Sequence, residues 1–298
     1  MRNTILEDLW RSLISRLPLD ALPDIVWKSV GSLNTYGSNS IEGNTLTKEE
    51  VDELILKEVS VGGRPLRDVK ETLQHYDSFR GLMERRTRPI SLITVLELHD
   101  EVFHGILPDA GRWRRVNVRI MGSRHTPPRM EKVIPMMEEW SSDYEKRDML
   151  GDDIFELGAW MHFQFESIHP FSDGNGRVGR LLLNLHLLRH NWPPITVLPE
   201  NRKEYLNALD RGHDGDLEPL MELMKVLIAR SLLNILDKVG TVDDELLPLR
   251  SLEEHSGHSA KYISLRAGQG EIPAFKIKGD WHTSRRAIDS YRRSVGRN

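Results

Sequence analysis

Apolar residues recur at spacings of three and four along most of the chain, the period of a helix with one buried face. In 67–84 the stripe runs through Val69, Leu73, Tyr76, Phe79, Leu82 and Met83. In 91–104 it runs through Leu92, Val95, Leu96, Leu98, His99 and Phe103. The same spacing predicts helices over 131–146, 153–167, 177–190, 202–211 and 216–239. Thr47-x-x-Glu50 is a capping-box pattern and predicts a helix reaching about Lys57. Alternation is rare. Val116–Met121 alternates and is followed by Gly122 and Pro127-Pro128, which predicts a short hairpin or flap. A second extended stretch, Ile272–Thr283, has its turn at Gly279-Asp280. Gly240–Arg250 has no clear stripe, so the domain boundary is placed there: an all-α body over 1–240 and a small domain over 241–298.

Composition narrows the function classes. The chain has 298 residues, 39% apolar and 29% charged, enough for a sizeable core. It has no cysteine, which excludes disulfides, a thiol nucleophile and Cys-ligated metal. No apolar run is long enough to span a bilayer, and the first ten residues carry an acidic pair where a signal peptide would be apolar. The expectation is a cytoplasmic protein without a membrane partner. The net charge of −4 is unevenly spread. Ser259–Asn298 carries nine basic and three acidic residues, a net of +6, leaving −10 for residues 1–258. A basic module on an acidic body predicts two different partners.

The chemistry concentrates in His169-Pro-Phe-Ser-Asp173-Gly-Asn-Gly-Arg177-Val-Gly-Arg180, a loop between two predicted helices. First-turn amides of a helix lack internal partners, and the macrodipole adds positive potential there. The Gly174-Asn175-Gly176 run lets those amides turn onto an anion, a phosphate cradle. Arg177 and Arg180 stand three apart and share a face. Two guanidiniums can clamp the outer phosphates of a nucleotide. Asp173 could hold Mg²⁺ against those phosphates. A neutral imidazole at His169 could accept the proton of an attacking hydroxyl.

This loop resembles the Fic family motif, His-x-Phe-x-Asp/Glu-Gly-Asn-Gly-Arg-x-x-Arg, with every specified position filled. The resemblance extends over roughly residues 35–230. His99 and Gly111-Arg112-Trp113-Arg114 are similar to the segment before the family's flap, and Val116–Pro128 to the flap, with Val118, Ile120, Gly122 and His125 as its site residues. Tyr205-Leu206 and Gly215-Asp216 resemble the helix region near the nucleobase, with Leu206 in place of a second tyrosine and His213 where some relatives have Asn. The resemblance implies an all-α Fic fold with a small β-hairpin flap. It implies transfer of AMP from ATP to a Ser, Thr or Tyr hydroxyl of a protein, self-modification included. His169 would be the general base and Asp173 the Mg²⁺ ligand. Gly174, Asn175 and Gly176 would form the anion hole, and Arg177 and Arg180 would engage phosphates. The flap would pair with the target as an added strand.

Ser38-Asn-Ser-Ile-Glu42-Gly43-Asn44 resembles the family's inhibitory motif, Ser/Thr-x-x-x-Glu-Gly/Asn, placed N-terminal to the core as in one Fic class. Glu42 aimed at Arg180 would occupy the partner of the γ-phosphate. In such proteins the same glutamate can support removal of AMP by orienting a water. The bland alternative is an exposed helix end.

A competing reading takes His162, Glu166 and His169, at i, i+4 and i+7, as a two-His, one-carboxylate metal site. It leaves Gly-Asn-Gly and both arginines unexplained. His186 and His190 stand four apart on what reads as a polar helix edge.

Residues 252–293 predict two short helices joined by Ser-Gly, a hairpin and a last helix. They resemble an excisionase or MerR-like winged helix-turn-helix, with Phe275-Lys276 and Trp281 at its apolar-Lys and Trp positions. That implies DNA as a partner through residues 250–298. A contact domain for protein or for a second copy, giving a homodimer, is the alternative. A second function class therefore stands beside the enzyme: a DNA-binding transcriptional regulator whose Fic-like body senses nucleotide.

Overall fold

Local chemistry sets the helix ends. Thr47 Oγ1 accepts from the Glu50 amide at 3.3 Å, while Glu50 Oε2 accepts from the Thr47 amide at 2.8 Å, closing the capping box. Asp153 Oδ1 accepts from the amides of Phe155 and Glu156, each at 3.0 Å, and starts another helix. Gly151, at φ 76°, closes the helix before it in the left-handed region.

The computed structural model describes residues 1–120 and 123–296. Its helices are α1 (Asn3–Ile14), α2 (Asp24–Ile41), α3 (Lys48–Ile55), α4 (Leu66–Arg85), α5 (Leu92–Phe103), α6 (Met130–Leu150) and α7 (Ile154–Ile168). They continue with α8 (Asn175–Arg189), α9 (Arg202–Gly212), α10 (Glu218–Val239), α11 (Glu253–Ser256), α12 (Ala260–Gly268) and α13 (Arg285–Ser294). The chain forms two compact units, Trp27–Leu223 and Met1–Val26 with Met224–Asn298. No described helix is long and apolar enough to cross a membrane.

In Trp27–Leu223, α8 packs against α7, α4 and α5. Val178, Leu181, Leu182, Leu183, Leu185 and Leu187 are all buried, so α8 is apolar nearly all round and forms the centre of this unit. The loop from His169 to Gly174 feeds directly into this buried helix.

In the other unit, α1 packs against α13. Ile5, Leu6, Leu9 and Leu13 are fully buried there. Three short strands, β1 (Leu247–Pro248), β2 (Phe275–Ile277) and β3 (Asp280–Thr283), form an antiparallel sheet in the order β1-β3-β2. Phe275 pairs with His282 and Ile277 with Asp280, so the turn falls at Lys278-Gly279, one residue before the expected Gly279-Asp280, because Asp280 is drawn into the ladder opposite Ile277.

The flap segment differs from expectation. Residues 116–120 and 123–128 contain no strand, and Gly122 lies outside the described residues. Burial still alternates, with Val118 and Ile120 half-buried and Asn117 and Arg119 exposed. Alternation supplies a face but not a pairing partner. Here Arg114 binds the segment's ends instead, donating to Val116 O at 2.9 Å and Pro128 O at 2.5 Å. The segment's backbone is thus left without a ladder.

Candidate active site

His169 ends α7 in the left-handed region, at φ 51°, an uncommon conformation for a residue with a Cβ. Several contacts hold it. Arg114 Nε donates to His169 O at 2.9 Å, and the Arg114 amide donates to Pro170 O at 2.9 Å. The His169 Nδ1 contact with Glu166 O at 3.4 Å fixes the tautomer, because a carbonyl can only accept. Nε2 therefore carries the free lone pair. Burial pushes the imidazole down to about 4, helped by the nearby Arg114 charge. It is neutral, in its base form, at neutral pH.

The loop is pinned from both sides. Asn175 Oδ1 accepts from the Phe171 amide at 2.8 Å, and Asn175 Nδ2 donates to Phe171 O at 3.0 Å. His99 accepts from the Gly111 amide at Nδ1, 2.9 Å, so its Nε2 carries the proton and donates to Asp173 O at 3.1 Å. Its ring stacks on Phe171 at 3.7 Å. Gly174, at φ 85°, is the N-cap of α8, and no side chain caps that helix. A Cβ at Gly174 would stand 2.1 Å from the Phe103 ring, so only glycine fits. Uncapped first-turn amides at a glycine-lined helix start are what an anion needs.

Arg177 and Arg180 are both buried, at 3% and 5% exposure, and each is matched to an acid. Arg177 Nη1 donates to Glu71 Oε2 at 2.5 Å, and Glu71 Oε1 accepts from Arg67 Nε at 2.7 Å. Arg180 Nε donates to Ser38 Oγ at 3.0 Å, and its Nη2 donates to Ser38 O at 2.9 Å and to Glu42 Oε1 at 2.8 Å. Burial alone would raise the Glu42 carboxyl, but the Arg180 charge and hydrogen bond, with Arg177, hold it below its usual range. Glu42 is thus an ionised acid lying in the cradle. A Cβ at Gly176 would stand 2.3 Å from its Oε1.

Asp173 is exposed beside the cradle. Its Oδ1 accepts from the Gly174 amide at 2.7 Å and its Oδ2 from Arg67 Nη2 at 3.1 Å. A single exposed carboxylate next to a phosphate site suits Mg²⁺, which is bound by one or two carboxylates with waters and phosphate oxygens. Arg67 and Glu71 carry no motif. Arg67 and Glu71 stand at i, i+4 on a predicted helix, a spacing that gives no sign of their partners across the fold.

The remaining expected residues lie at the margin. Tyr205 is buried, with its hydroxyl 2.7 Å from His162 Nε2 and its ring 6.0 Å from the Arg180 guanidinium carbon. Leu206 is 37% exposed. His125 Nε2 donates to Ser167 O at 2.9 Å, and its ring stacks on His213 at 3.9 Å. The His162–Glu166–His169 metal reading does not assemble. Both nitrogens of His162 are engaged, by Tyr205 and by Gly179 O at 3.1 Å, and His169 lies past the helix end. His186 is not on a polar edge either. It is buried between Tyr144 and Ile154 O.

Residues 89–187 match the model of the Fic/DOC family. This stretch is a Fic/DOC family domain. Glu42, Ser38, Arg67 and Glu71 lie outside the matched stretch. The chain is 29% identical over 193 residues to Protein adenylyltransferase Fic of Nematostella vectensis, covering 63% of this chain and 45% of that protein. It is 30% identical over 220 residues to Protein adenylyltransferase fic-1 of Caenorhabditis elegans, covering 72% and 43%. The chain thus spans less than half the length of either relative. A Fic domain containing signaling protein from Bacteroides thetaiotaomicron superposes with a TM-score of 0.72 at 25% identity, over 80% of this chain and 98% of that one. Fic-1 (residues 134–508) from C. elegans gives 0.67 at 28% identity, over 80% and 71%. The Fic fold of this chain is mostly helical, with the small antiparallel sheet described above.

Proposed function

We propose that this chain is an autoinhibited protein adenylyltransferase, taking AMP from ATP to a protein hydroxyl. The observation that carries this is the convergence at one helix start: a neutral His169, uncapped α8 amides, and Arg177 and Arg180. A phosphate sensor would need the cradle and arginines, but not the base. His169 Nε2 takes the proton of the incoming hydroxyl, whose oxygen attacks the α-phosphorus. The bond to the β-phosphate oxygen breaks, and pyrophosphate leaves. The α8 amides and the two guanidiniums receive the charge that develops on the phosphates. Asp173 would hold Mg²⁺, which neutralises phosphate charge when bound. The backbone of residues 117–119, which lies in no described strand, suits pairing with an extended target segment.

The brake is Glu42. It takes the guanidinium that the γ-phosphate requires, and Ser38 fixes that guanidinium from two atoms. The decisive experiment incubates the protein, and separately its Glu42→Gly variant, with a lysate and α-labelled ATP, UTP, GTP and CTP. Labelled protein bands from ATP support the reading. No labelled protein from any donor with the variant overturns it.

The DNA-binding reading has the α11–α12 turn at Gly257 and the β2–β3 hairpin in its favour. Against it, much of the tail's charge is spent internally. Arg266 pairs with Glu271 at 2.8 Å, Arg293 with Asp8 at 2.9 Å, and Arg286 with Asp244. We place it second. Salt-sensitive mobility shifts of DNA by the intact chain would restore it.

A further inference from the structure

The proposed transfer leaves one acid at the cradle without a task. Glu166 lies on α7, three residues before His169. Its Oε1 is sealed from solvent and has no hydrogen-bond partner. A Cβ at Gly179 would stand 2.3 Å from that oxygen, just as one at Gly176 would stand 2.3 Å from Glu42 Oε1. Gly176 and Gly179 are three apart on α8, so they share a face, about 4.5 Å apart along the axis. The two carboxyls therefore rest in turn on one glycine floor. The Arg180 guanidinium lies there too, its Nη1 2.9 Å from where a Gly176 Cβ would be.

Two carboxyls around one guanidinium do not both ionise cheaply away from water. Glu42 holds Arg180 and is ionised. Burial, with the Glu42 charge, pushes Glu166 up to about 8 against the pull of Arg180. Glu166 is a neutral acid while Glu42 is in place. The other groups facing it do not titrate in the neutral range. From α9, burial and Glu166 raise the Tyr205 hydroxyl. On α7 itself, burial pushes His162 down to about 3 and His169 to about 4.

Resting on the transfer reading, we propose that Glu166 is the second acceptor for Arg180, a positioning residue that holds this guanidinium toward the nucleotide phosphates once Glu42 withdraws. Withdrawal removes a negative neighbour and leaves a buried cation short of a partner, and both changes favour ionised Glu166. The Glu166 proton passes to solvent, and an Arg180 N–H donates to the oxygen it leaves. Arg180 has five N–H donors. With Ser38 taking two, donors remain for both Glu166 and a phosphate.

The test reads ATP binding by calorimetry, apart from any transfer. It compares Glu42→Gly with Glu42→Gly/Glu166→Gln at about pH 6 and about pH 9. Glutamine keeps the shape of the acid and cannot ionise. The ionisation of ATP itself is common to both proteins and drops out of the comparison. The expected result is binding at least about ten-fold tighter in Glu42→Gly than in the double variant at the higher pH, the gap shrinking only where Glu166 takes up its proton. Equal affinity in the two proteins at both pH values overturns the proposal and makes Glu166 a packing acid. If the double variant does not fold, wild type and Glu166→Gln are compared for protons released on ATP binding, using buffers of different ionisation enthalpy. Release present in wild type and lost in Glu166→Gln supports the proposal, and identical release overturns it. Failure of the transfer reading looks different: ATP binds with the expected pH dependence, but no protein is labelled.

Discussion

Arg180 Nη2 donates to Glu42 Oε1 at 2.8 Å, joining residues 138 apart in the sequence. The contact is desolvated on one side: Arg180 is 5% exposed, whereas the Glu42 side chain is 34% exposed. A charge-assisted hydrogen bond of this kind contributes about 1.5–3 kcal/mol. Glu42→Gly is therefore expected to raise AMP incorporation roughly 10- to 150-fold. Adding Arg180→Ala should cancel the gain, because both changes act through one contact. Incorporation from labelled ATP is measured for wild type, both single variants and the double. An unchanged rate in Glu42→Gly, with His169 still essential, would place the brake elsewhere.

His169→Ala is expected to lower transfer by about 10²–10⁴ while ATP still binds. The cradle amides, Arg177 and Arg180 do not depend on the imidazole. Arg114 grips the backbone carbonyl of residue 169, which alanine keeps. Alanine at φ 51° costs some stability, so thermal melting accompanies the assay. Transfer at the wild-type rate would remove His169 from the base role.

Legibility in the sequence followed chemistry. His169–Arg180 could be read because its Gly, Arg and His stand at the fixed offsets that the proposed phosphate-binding helix start would demand. Most helices could be read from their stripes, and α8 stands where the pattern places it. What escaped depends on which distant elements meet. Arg67 and Asp173 are 106 apart, and nothing local at either position predicts the pair. Glu166 was visible as one face of a metal site, but its isolation depends on Gly179 lying against it. The alternating residues 116–120 read as a strand, yet a ladder needs a partner that alternation cannot supply. The packing of α1 against α13 joins opposite ends of the chain.

Arg67→Ala is expected to tighten Mg²⁺ use. Arg67 Nη2 sits 3.1 Å from Asp173 Oδ2, the oxygen offered for metal, and is 55% exposed. An exposed pair contributes about 0.2–1 kcal/mol. Freeing Asp173 should therefore lower the Mg²⁺ concentration for half-maximal ATP binding by no more than about five-fold. A Mg²⁺ titration of ATP binding measures it. A higher requirement in the variant would make Arg67 a phosphate ligand rather than a competitor.

Asp244→Ala is expected to destabilise the unit formed by Met1–Val26 and Met224–Asn298. The Asp244 side chain is fully buried. Its oxygens accept from Arg286, from Arg16 Nη1 at 2.7 Å and from the Thr241 amide at 2.8 Å. Burial alone would raise this carboxyl, but Arg286, the Thr241 amide and Arg16 hold it below the usual aspartate range. Removing the acid leaves two arginines facing an empty centre, a loss of roughly 3–5 kcal/mol. The pH dependence has a definite sign. An acid with a lowered folded value contributes its stability above the unfolded value of about 3.9, and loses it as pH falls toward the folded value. Wild type and Asp244→Ala should thus differ most at neutral pH and converge below about pH 4. Urea unfolding, read by amide exchange of α1 and α13, measures the difference for this unit alone. A gap that stays constant from neutral to acid pH would show that Asp244 contributes by filling space rather than by charge.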